Sequence, residues 1–166
     1  IDIRWYGVFI AIGVLAALYF AKKNSKIIGL NPEFVENYLL IALIPGIIGA
    51  RLYYVIFNYD YYVGDFFKII NIRSGGLAIH GGLIVGGLIA VFYCMYKKIS
   101  IIDFMDILAS AVPLAQSIGR WGNYANSEAH GGPTDLPWAI VVDSQKVHPT
   151  FLYESIWTFG IFLLLN

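Results

Sequence analysis

The sequence has little charge. Lys, Arg, Asp and Glu make up 13% of its 166 residues, whereas a soluble domain has about 25%. Hydrophobic residues make up 58% of the chain. This balance is typical of an integral membrane protein and argues against a soluble domain. The formal net charge is zero, so the sequence lacks a strongly basic surface, and we expect no nucleic-acid partner.

The residues that build disulfide frameworks and metal centres are also scarce. The single cysteine, Cys94, excludes an internal disulfide framework and a cysteine-based zinc cluster. There is no HExxH motif, and the spacing of His80, His130 and His148 matches no familiar set of metal ligands. Ala115-x-Ser117-x-Gly119 nearly matches the motif of the serine-hydrolase elbow. That elbow needs a strand before the serine, and the sequence offers none there. We therefore expect no metal and no cofactor.

What the sequence has instead is five apolar runs. They predict an all-α fold: a polytopic membrane bundle of about five spanning helices in one transmembrane domain, residues 1–166. Residues 58–76 and 129–150 are predicted to form connections at the outer face. The last run, residues 151–165, is shorter than the roughly 20 residues that span a bilayer. Because the chain also begins without Met, we expect it to be a piece of a longer protein.

Short patterns add local detail to these helices. Ala78, Gly82, Gly86 and Ala90 recur every four residues in the third run, which indicates a seam of small residues for close helix packing. Ser100-x-x-Asp103 is a capping-box pattern and predicts the start of the fourth helix.

The lysines and arginines of the connections indicate an orientation. The first and third connections contain five and the second and fourth contain three: Lys22, Lys23, Lys26, Lys97 and Lys98 against Lys68, Arg73 and Lys146. This bias favours a cytoplasmic location for the first and third connections and an external amino terminus. The polar residues of every segment then lie near the outer face, which predicts a site there.

The polar stretch at residues 119–131 follows the fourth apolar run. An arginine costs about 2.5–3.5 kcal/mol at the centre of a bilayer on insertion scales, so its presence calls for a function or a partner. Gln116, Arg120 and Asn123 share one helix face, and the planar arginine fork suits phosphate. An arginine near a helix end can also extend to lipid headgroups without further function. For Arg51 the two interpretations are equal; for Arg120 the polar neighbours favour an anion site.

His80 and Glu128 are further candidates. His80 lies between two glycine pairs at membrane depth, and histidine exchanges protons near neutral pH, so we predict a general base rather than a structural residue. Glu128 pairs with Arg120 or His80 or is a solvated loop acid, and the sequence leaves this open. These residues alone predict a polytopic membrane protein with an outward-facing anion site.

Three classes of membrane protein are considered as alternatives. A transporter or channel with an outward-facing anion site is the main alternative, although it would favour an internal repeat and polar groups at the midplane. A structural membrane subunit would explain the small-residue seam but not the polar cluster. A metal-dependent membrane hydrolase would be revealed by sensitivity to chelators.

A long motif connects the polar stretch to a known family. Gly119-Arg120-x-Gly122-Asn123-Tyr124-x-Asn126-x-Glu128-x-x-Gly131 resembles the signature of the bacterial prolipoprotein diacylglyceryl transferases. Four other segments resemble this family in the same order: Trp5-Tyr6-Gly7, Gly49-Ala50-Arg51-Leu52-Tyr53-Tyr54, Gly75-Gly76-Leu77-Ala78-Ile79-His80-Gly81-Gly82, and His148-Pro149-Thr150-x-Leu152-Tyr153-Glu154.

The resemblance implies an activity and a location. It implies transfer of the diacylglyceryl group of phosphatidylglycerol to the lipobox cysteine thiol of a prolipoprotein. The products are a thioether and glycerol phosphate. The implied partners are phosphatidylglycerol, the lipobox peptide and the lipid bilayer. The implied location is the bacterial plasma (inner) membrane, with the active site towards the outer face.

The resemblance also implies residue roles. Arg120 with Asn123 would hold the phosphate, His80 would take or relay the thiol proton, and Tyr6 and Glu128 would position the headgroup and the arginine. The other residues expected at the phosphatidylglycerol site are Arg51, Gly76, Gly81 and Gly131. Family members continue past the fifth run with helices that carry a further arginine and acid, so we expect the site in this chain to be incomplete and the chain alone to be inactive.

Overall fold

The computed structural model describes residues 5–72 and 75–166, and most of them lie in helices. Arg73, counted above among the charges of the second connection, lies outside the described residues. The elements in chain order are α1 (Trp5–Ile27), α2 (Glu33–Phe57), α3 (Tyr59–Tyr62), α4 (Phe66–Ile70), α5 (Ile79–Lys97), α6 (Ile101–Ala125), β1 (Ile140–Val142), β2 (Gln145–Val147) and α7 (Thr150–Leu165).

Four helices in the described part of the chain are long and apolar enough to cross a membrane. They are α1, α2, α5 and α6, with 23, 25, 19 and 25 residues. The predicted all-α polytopic bundle is therefore confirmed. The fifth predicted run does form a helix, α7, but its 16 residues are fewer than the roughly 20 that a perpendicular span needs.

Side-chain hydrogen bonds to backbone amides lie at the starts of two helices. The Ser100 hydroxyl accepts one from the Asp103 amide at 3.3 Å, as the capping box predicts. The Asn31 side chain accepts one from the Glu33 amide at 3.0 Å, where α2 begins. The lysines assigned above to the first connection lie in the last turns of α1, which continues to Ile27 because lysine propagates a helix readily.

The described residues group into two compact units. The first contains the described residues up to Gly29 together with Asp106–Asn166, and the second contains Leu30–Met105. In the first unit, α1 packs closely on α6 at Gly13, where a Cβ atom would lie 2.9 Å from the carbonyl oxygen of Ala115.

Aromatic contacts complete the core of the first unit. The rings of Phe20 in α1 and Phe162 in α7 meet edge to face with their centroids 4.9 Å apart. The Phe151 ring at the start of α7 stacks on Tyr124 at the end of α6, with centroids 4.7 Å apart. Both ends of α7 are therefore held by aromatic packing against a neighbouring helix.

In the second unit, small residues of α5 lie against α2. The tightest contact is at Gly81, next to the predicted seam but not part of it, where a Cβ atom would overlap the carbonyl oxygen of Gly49. At Gly82, which belongs to the seam, a Cβ atom would lie 3.5 Å from the carbonyl oxygen of Gly46. Further along α5, the Tyr38 hydroxyl donates to the carbonyl oxygen of Gly86 at 3.1 Å, and Ala90 is fully buried. Backbones can approach this closely only where side chains are absent or small.

The connection at residues 129–150 contains a hairpin that the sequence analysis did not predict. Strands β1 and β2 pair antiparallel, with Ile140 opposite Val147. The two turn residues, Asp143 and Ser144, have φ of 48° and 66°. Two-residue hairpin turns of this kind require left-handed backbone at both positions. The hairpin leads directly into α7 and so determines where the first turn of that helix begins.

Candidate active site

Arg120 on α6 and Glu154 in the first turn of α7 form an ion pair. Their side chains are 29% and 46% exposed, so the pair lies at the surface of the protein. Two buried serines set the register that brings them together. The Ser117 hydroxyl donates to the Ser155 carbonyl oxygen at 2.9 Å, and the Ser155 hydroxyl donates to the Ser117 carbonyl oxygen at 3.0 Å. Glu154 precedes Ser155 and Arg120 follows Ser117 by nearly one turn, so the charged groups face each other.

Glu128 closes the turn that follows α6. Its carboxylate accepts hydrogen bonds from the side-chain amides of Asn123 at 3.3 Å and Asn126 at 3.2 Å. Its backbone amide donates to the carbonyl oxygen of Asn123 at 3.0 Å. The turn passes through left-handed backbone at Ser127, with φ of 53°. Of the possibilities that the sequence left open, the structure shows Glu128 as an exposed turn acid that orients Asn123.

Tyr6 lies against the backbone of α6 because two glycines make room for α1. A Cβ atom at Gly122 would lie 2.9 Å from Cδ2 of Tyr6, and one at Gly119 would lie 3.3 Å from Cδ1 of Ile10. The Tyr6 side chain is partly exposed, at 37% for the residue. Gly119 and Gly122 therefore allow α1 to approach α6. Tyr6 on α1 then lies against Gly122, which is two residues after Arg120 on α6.

Gly131 joins the end of the polar stretch to the base of α7. Its amide donates to the carbonyl oxygen of His148 at 2.9 Å, and the His148 amide donates to the carbonyl oxygen of Gly132 at 3.1 Å. A Cβ atom at position 131 would lie 2.8 Å from the Cβ of His148 and 3.0 Å from Cγ2 of Thr150. Glycine is therefore required here for close packing, and its amide is already bonded to the protein.

An open groove lies beside the ion pair. It has a volume of about 420 Å³ and is lined by Gln116, Tyr153, Glu154, Trp157 and Thr158. The Tyr153 hydroxyl accepts a hydrogen bond from the Trp138 indole at 2.8 Å and lies 3.3 Å from Nδ1 of His148. The groove thus combines an amide, two hydroxyls and a carboxylate with aromatic surface. This composition suits the polar head of a lipid.

Arg51, in the second unit, is buried and fully bonded to backbone. It is 4% exposed, and its five N–H groups have five carbonyl partners in the connection between α3 and α5. Nε donates to Ile69 at 2.8 Å, while Nη1 and Nη2 each donate to two carbonyls. The Nη1 acceptors are Gly75 and Gly76, and the Nη2 acceptors are Lys68 and Asn71. The guanidinium therefore organises this connection.

Replacing Arg51 by lysine is expected to loosen the connection although the charge is kept. One ammonium group cannot reproduce a five-donor fork, and hydrogen bonds from charged donors contribute more than neutral ones. We expect a loss of at least about 2 kcal/mol in unfolding free energy and faster proteolysis within residues 63–78. The control is Lys68→Ala, which removes an exposed cation of the same connection and should change stability by less than about 0.5 kcal/mol. Equal proteolysis of the two variants would contradict the role assigned to Arg51.

His80 lies one residue into α5, beside the close crossing of α2 and α5. Its exposed ring stacks on Tyr53 with centroids 5.7 Å apart and an interplanar angle of 25°. Gly76, with φ of 80°, lies against Arg51, and a Cβ atom there would lie 2.9 Å from Cε1 of Tyr54. The predicted residues Gly76 and Gly81 thus build the backbone around Arg51 and His80.

The structure groups the predicted residues into two sets. The first unit holds Tyr6, Arg120, Asn123, Glu128 and Gly131, and the second holds Arg51, Gly76, His80 and Gly81. Sequence reasoning did not assign a role to Glu154, the carboxylate partner of Arg120. Two signals pointed to it: its position at the start of the fifth run, among the polar residues predicted near the outer face, and its place in the last of the segments that resemble the family.

The four long apolar helices in the described part of the chain define a polytopic helical membrane protein. Comparison with known proteins specifies the family. The family model for prolipoprotein diacylglyceryl transferase matches residues 1–166, and the chain belongs to this family.

Similar proteins include three that are named phosphatidylglycerol–prolipoprotein diacylglyceryl transferase. The one from Clostridioides difficile (strain 630) is 52% identical over 99% of this chain and 66% of its own length. That from Finegoldia magna is 48% identical with the same coverage, and that from Prochlorococcus marinus subsp. pastoris is 44% identical over 99% of this chain and 64% of its length. The chain thus spans slightly less than two thirds of these relatives. The matches give the transporter or channel alternative no support.

Proposed function

We propose that this protein transfers the diacylglyceryl group of phosphatidylglycerol to the lipobox cysteine of a prolipoprotein. The observation that carries the proposal is the match of the family model to all 166 residues. The relatives' names specify phosphatidylglycerol and prolipoprotein. The groove lined by Glu154, the partner of Arg120, offers an amide, hydroxyls and aromatic surface to a lipid headgroup. We place the protein in the bacterial plasma (inner) membrane with this site towards the outer face.

The reaction makes one bond and breaks one. The cysteine loses its proton, because the thiolate is the nucleophile. The sulfur attacks the glycerol carbon that carries the phosphate, a C–S bond forms, and the C–O bond to phosphate breaks. Glycerol phosphate leaves with the bonding electron pair. Negative charge therefore accumulates on the leaving phosphate, and a fixed cation placed there lowers the barrier.

The residues divide these tasks. Arg120 binds the phosphate and stabilises the leaving group, because its fork matches phosphate oxygens and its side chain is partly exposed. Asn123, held by Glu128, assists at the same phosphate, and Tyr6 borders the site from α1. His80 takes or relays the thiol proton; its exposed ring, stacked on Tyr53, is accessible to a substrate. Arg51, Gly76 and Gly81 contribute by shaping the backbone near His80.

The test uses the full-length protein, purified in detergent, with phosphatidylglycerol and a lipobox peptide. We expect mass spectrometry to find the peptide with one diacylglyceryl group on its cysteine. The matched control is the same peptide with serine in place of that cysteine, which should gain no mass. If the well-folded protein leaves the cysteine peptide unmodified and the phosphatidylglycerol intact, the proposed function is wrong.

A further inference from the structure

The guanidinium of Arg120 already has an anionic partner. The Glu154 carboxylate pairs with it, and a carboxylate offers the same bidentate geometry as two oxygens of a phosphate. Both side chains are partly exposed, and exposed ion pairs contribute little to stability. The pair can therefore open when a phosphate binds, which a dry, buried pair could not do at low cost.

Glu154 also lies on the wall of the groove. Gln116 and Thr158 line the groove with it, and Trp157, which is 72% exposed, borders it as well. A phospholipid headgroup entering here meets Glu154 while approaching Arg120. The carboxylate and the incoming phosphate are then rival anions for one cation.

We propose that Glu154 is a positioning residue that competes with phosphate for Arg120. In the unliganded protein its carboxylate pairs with the guanidinium and keeps the Arg120 side chain beside the groove. After transfer it regains the guanidinium and thereby promotes release of glycerol phosphate. This inference rests on the proposed function, because it assumes that Arg120 binds the phosphate of the substrate and of the product.

Competition predicts a gain of affinity when the carboxylate is neutralised. Glu154→Gln keeps the shape of the side chain and removes its charge, so glycerol phosphate should bind roughly two- to fivefold more tightly, the range that an exposed ion pair supplies. A purely structural role predicts the opposite, because a damaged site binds more weakly. Glu154→Asp keeps the charge but withdraws it by one methylene, and its Kd should lie between those of the wild type and the Gln variant.

The experiment titrates glycerol phosphate into the full-length protein in phosphatidylcholine nanodiscs, with calorimetry as the readout. Asp135→Asn is the matched control, since it removes one exposed acid from the connection before α7; screening by salt should keep its effect below about 1.5-fold. In the Arg120→Ala background, Glu154→Gln should give no gain, because the competition needs the arginine.

The outcomes separate this inference from the function on which it rests. If the wild type binds glycerol phosphate and Glu154→Gln binds it no more tightly than Asp135→Asn, the competitor role is wrong and the proposed function stands. If neither the wild type nor any variant binds the probe, the phosphate site at Arg120 fails, and the competitor role fails with it. If Glu154→Gln does not fold, Glu154→Asp decides: tighter binding than the wild type supports competition, and equal or weaker binding overturns it.

Discussion

Replacing Arg120 by alanine is expected to lower diacylglyceryl transfer by about 10²- to 10³-fold, the cost of removing a preorganised group that stabilises transition-state charge. The leaving phosphate would then lose its cation. The fold should survive, because the side chains of the Arg120–Glu154 pair are partly exposed and exposed pairs contribute about 1 kcal/mol or less. Glu154 would be left exposed to water rather than buried without a partner. The measurement is the initial rate of adduct formation on a lipobox peptide.

Two variants control for charge and for shape. Lys146→Ala removes an exposed cation of the connection before α7 and should leave the rate within about twofold, because a screened charge has little effect at a distance. Arg120→Lys keeps the charge without the planar fork and should recover only part of the rate. An Arg120→Ala protein that melts like the wild type and transfers at the normal rate would show that Arg120 does not hold the phosphate.

Replacing Gly81 by alanine is expected to cause a large loss of stability. The added Cβ would overlap the carbonyl oxygen of Gly49 and lie 2.5 Å from the Cβ of Tyr53. Both are backbone or near-backbone atoms, so α5 must move away from α2. Overpacking of this kind costs about 1–3 kcal/mol and sometimes more. We expect a lower apparent midpoint of thermal unfolding in detergent, together with lower transfer because His80 is the adjacent residue.

Gly87→Ala provides the control within the same helix. A Cβ at Gly87 meets nothing within 4 Å, so this variant should be neutral or slightly stabilised, since alanine favours helix over glycine by up to about 1 kcal/mol. Gly82→Ala should be intermediate, because its Cβ would lie 3.5 Å from the carbonyl oxygen of Gly46. If Gly81→Ala unfolded no earlier than Gly87→Ala, the close crossing of α2 and α5 would be disproved.

The helices could be predicted from the sequence because their signals are local. Long uncharged runs indicate spans. The side chains of Asn31 and Ser100 accept hydrogen bonds from backbone amides that are only two and three residues further along the chain. The hairpin was missed because each strand has only three residues. Its turn, Asp143-Ser144, also lacks the glycine that usually signals left-handed backbone.

The site was only partly predictable because its contacts are distant in sequence. Arg120 could be singled out from its own neighbours, but its partner Glu154 is 34 positions away, and no local pattern relates them. For Arg51, phosphate binding and simple extension to lipid headgroups were equal interpretations of the sequence. Neither describes the five carbonyl oxygens that the guanidinium binds, which lie 17 to 25 positions further along the chain. The pairing of Glu128 with Asn123 and Asn126 depends on a left-handed turn, which a sequence of non-glycine residues does not indicate.

The most direct test of the central claim follows both halves of one phosphatidylglycerol molecule. The lipid carries one isotope in its diacylglyceryl part and another in its glycerol headgroup, and the full-length protein receives it with a lipobox peptide. We predict that the first label appears on the peptide cysteine and the second in glycerol phosphate, in equal amounts. If glycerol phosphate and free diacylglycerol accumulated while the peptide stayed unlabelled, the protein would be a lipid hydrolase and the account would be contradicted.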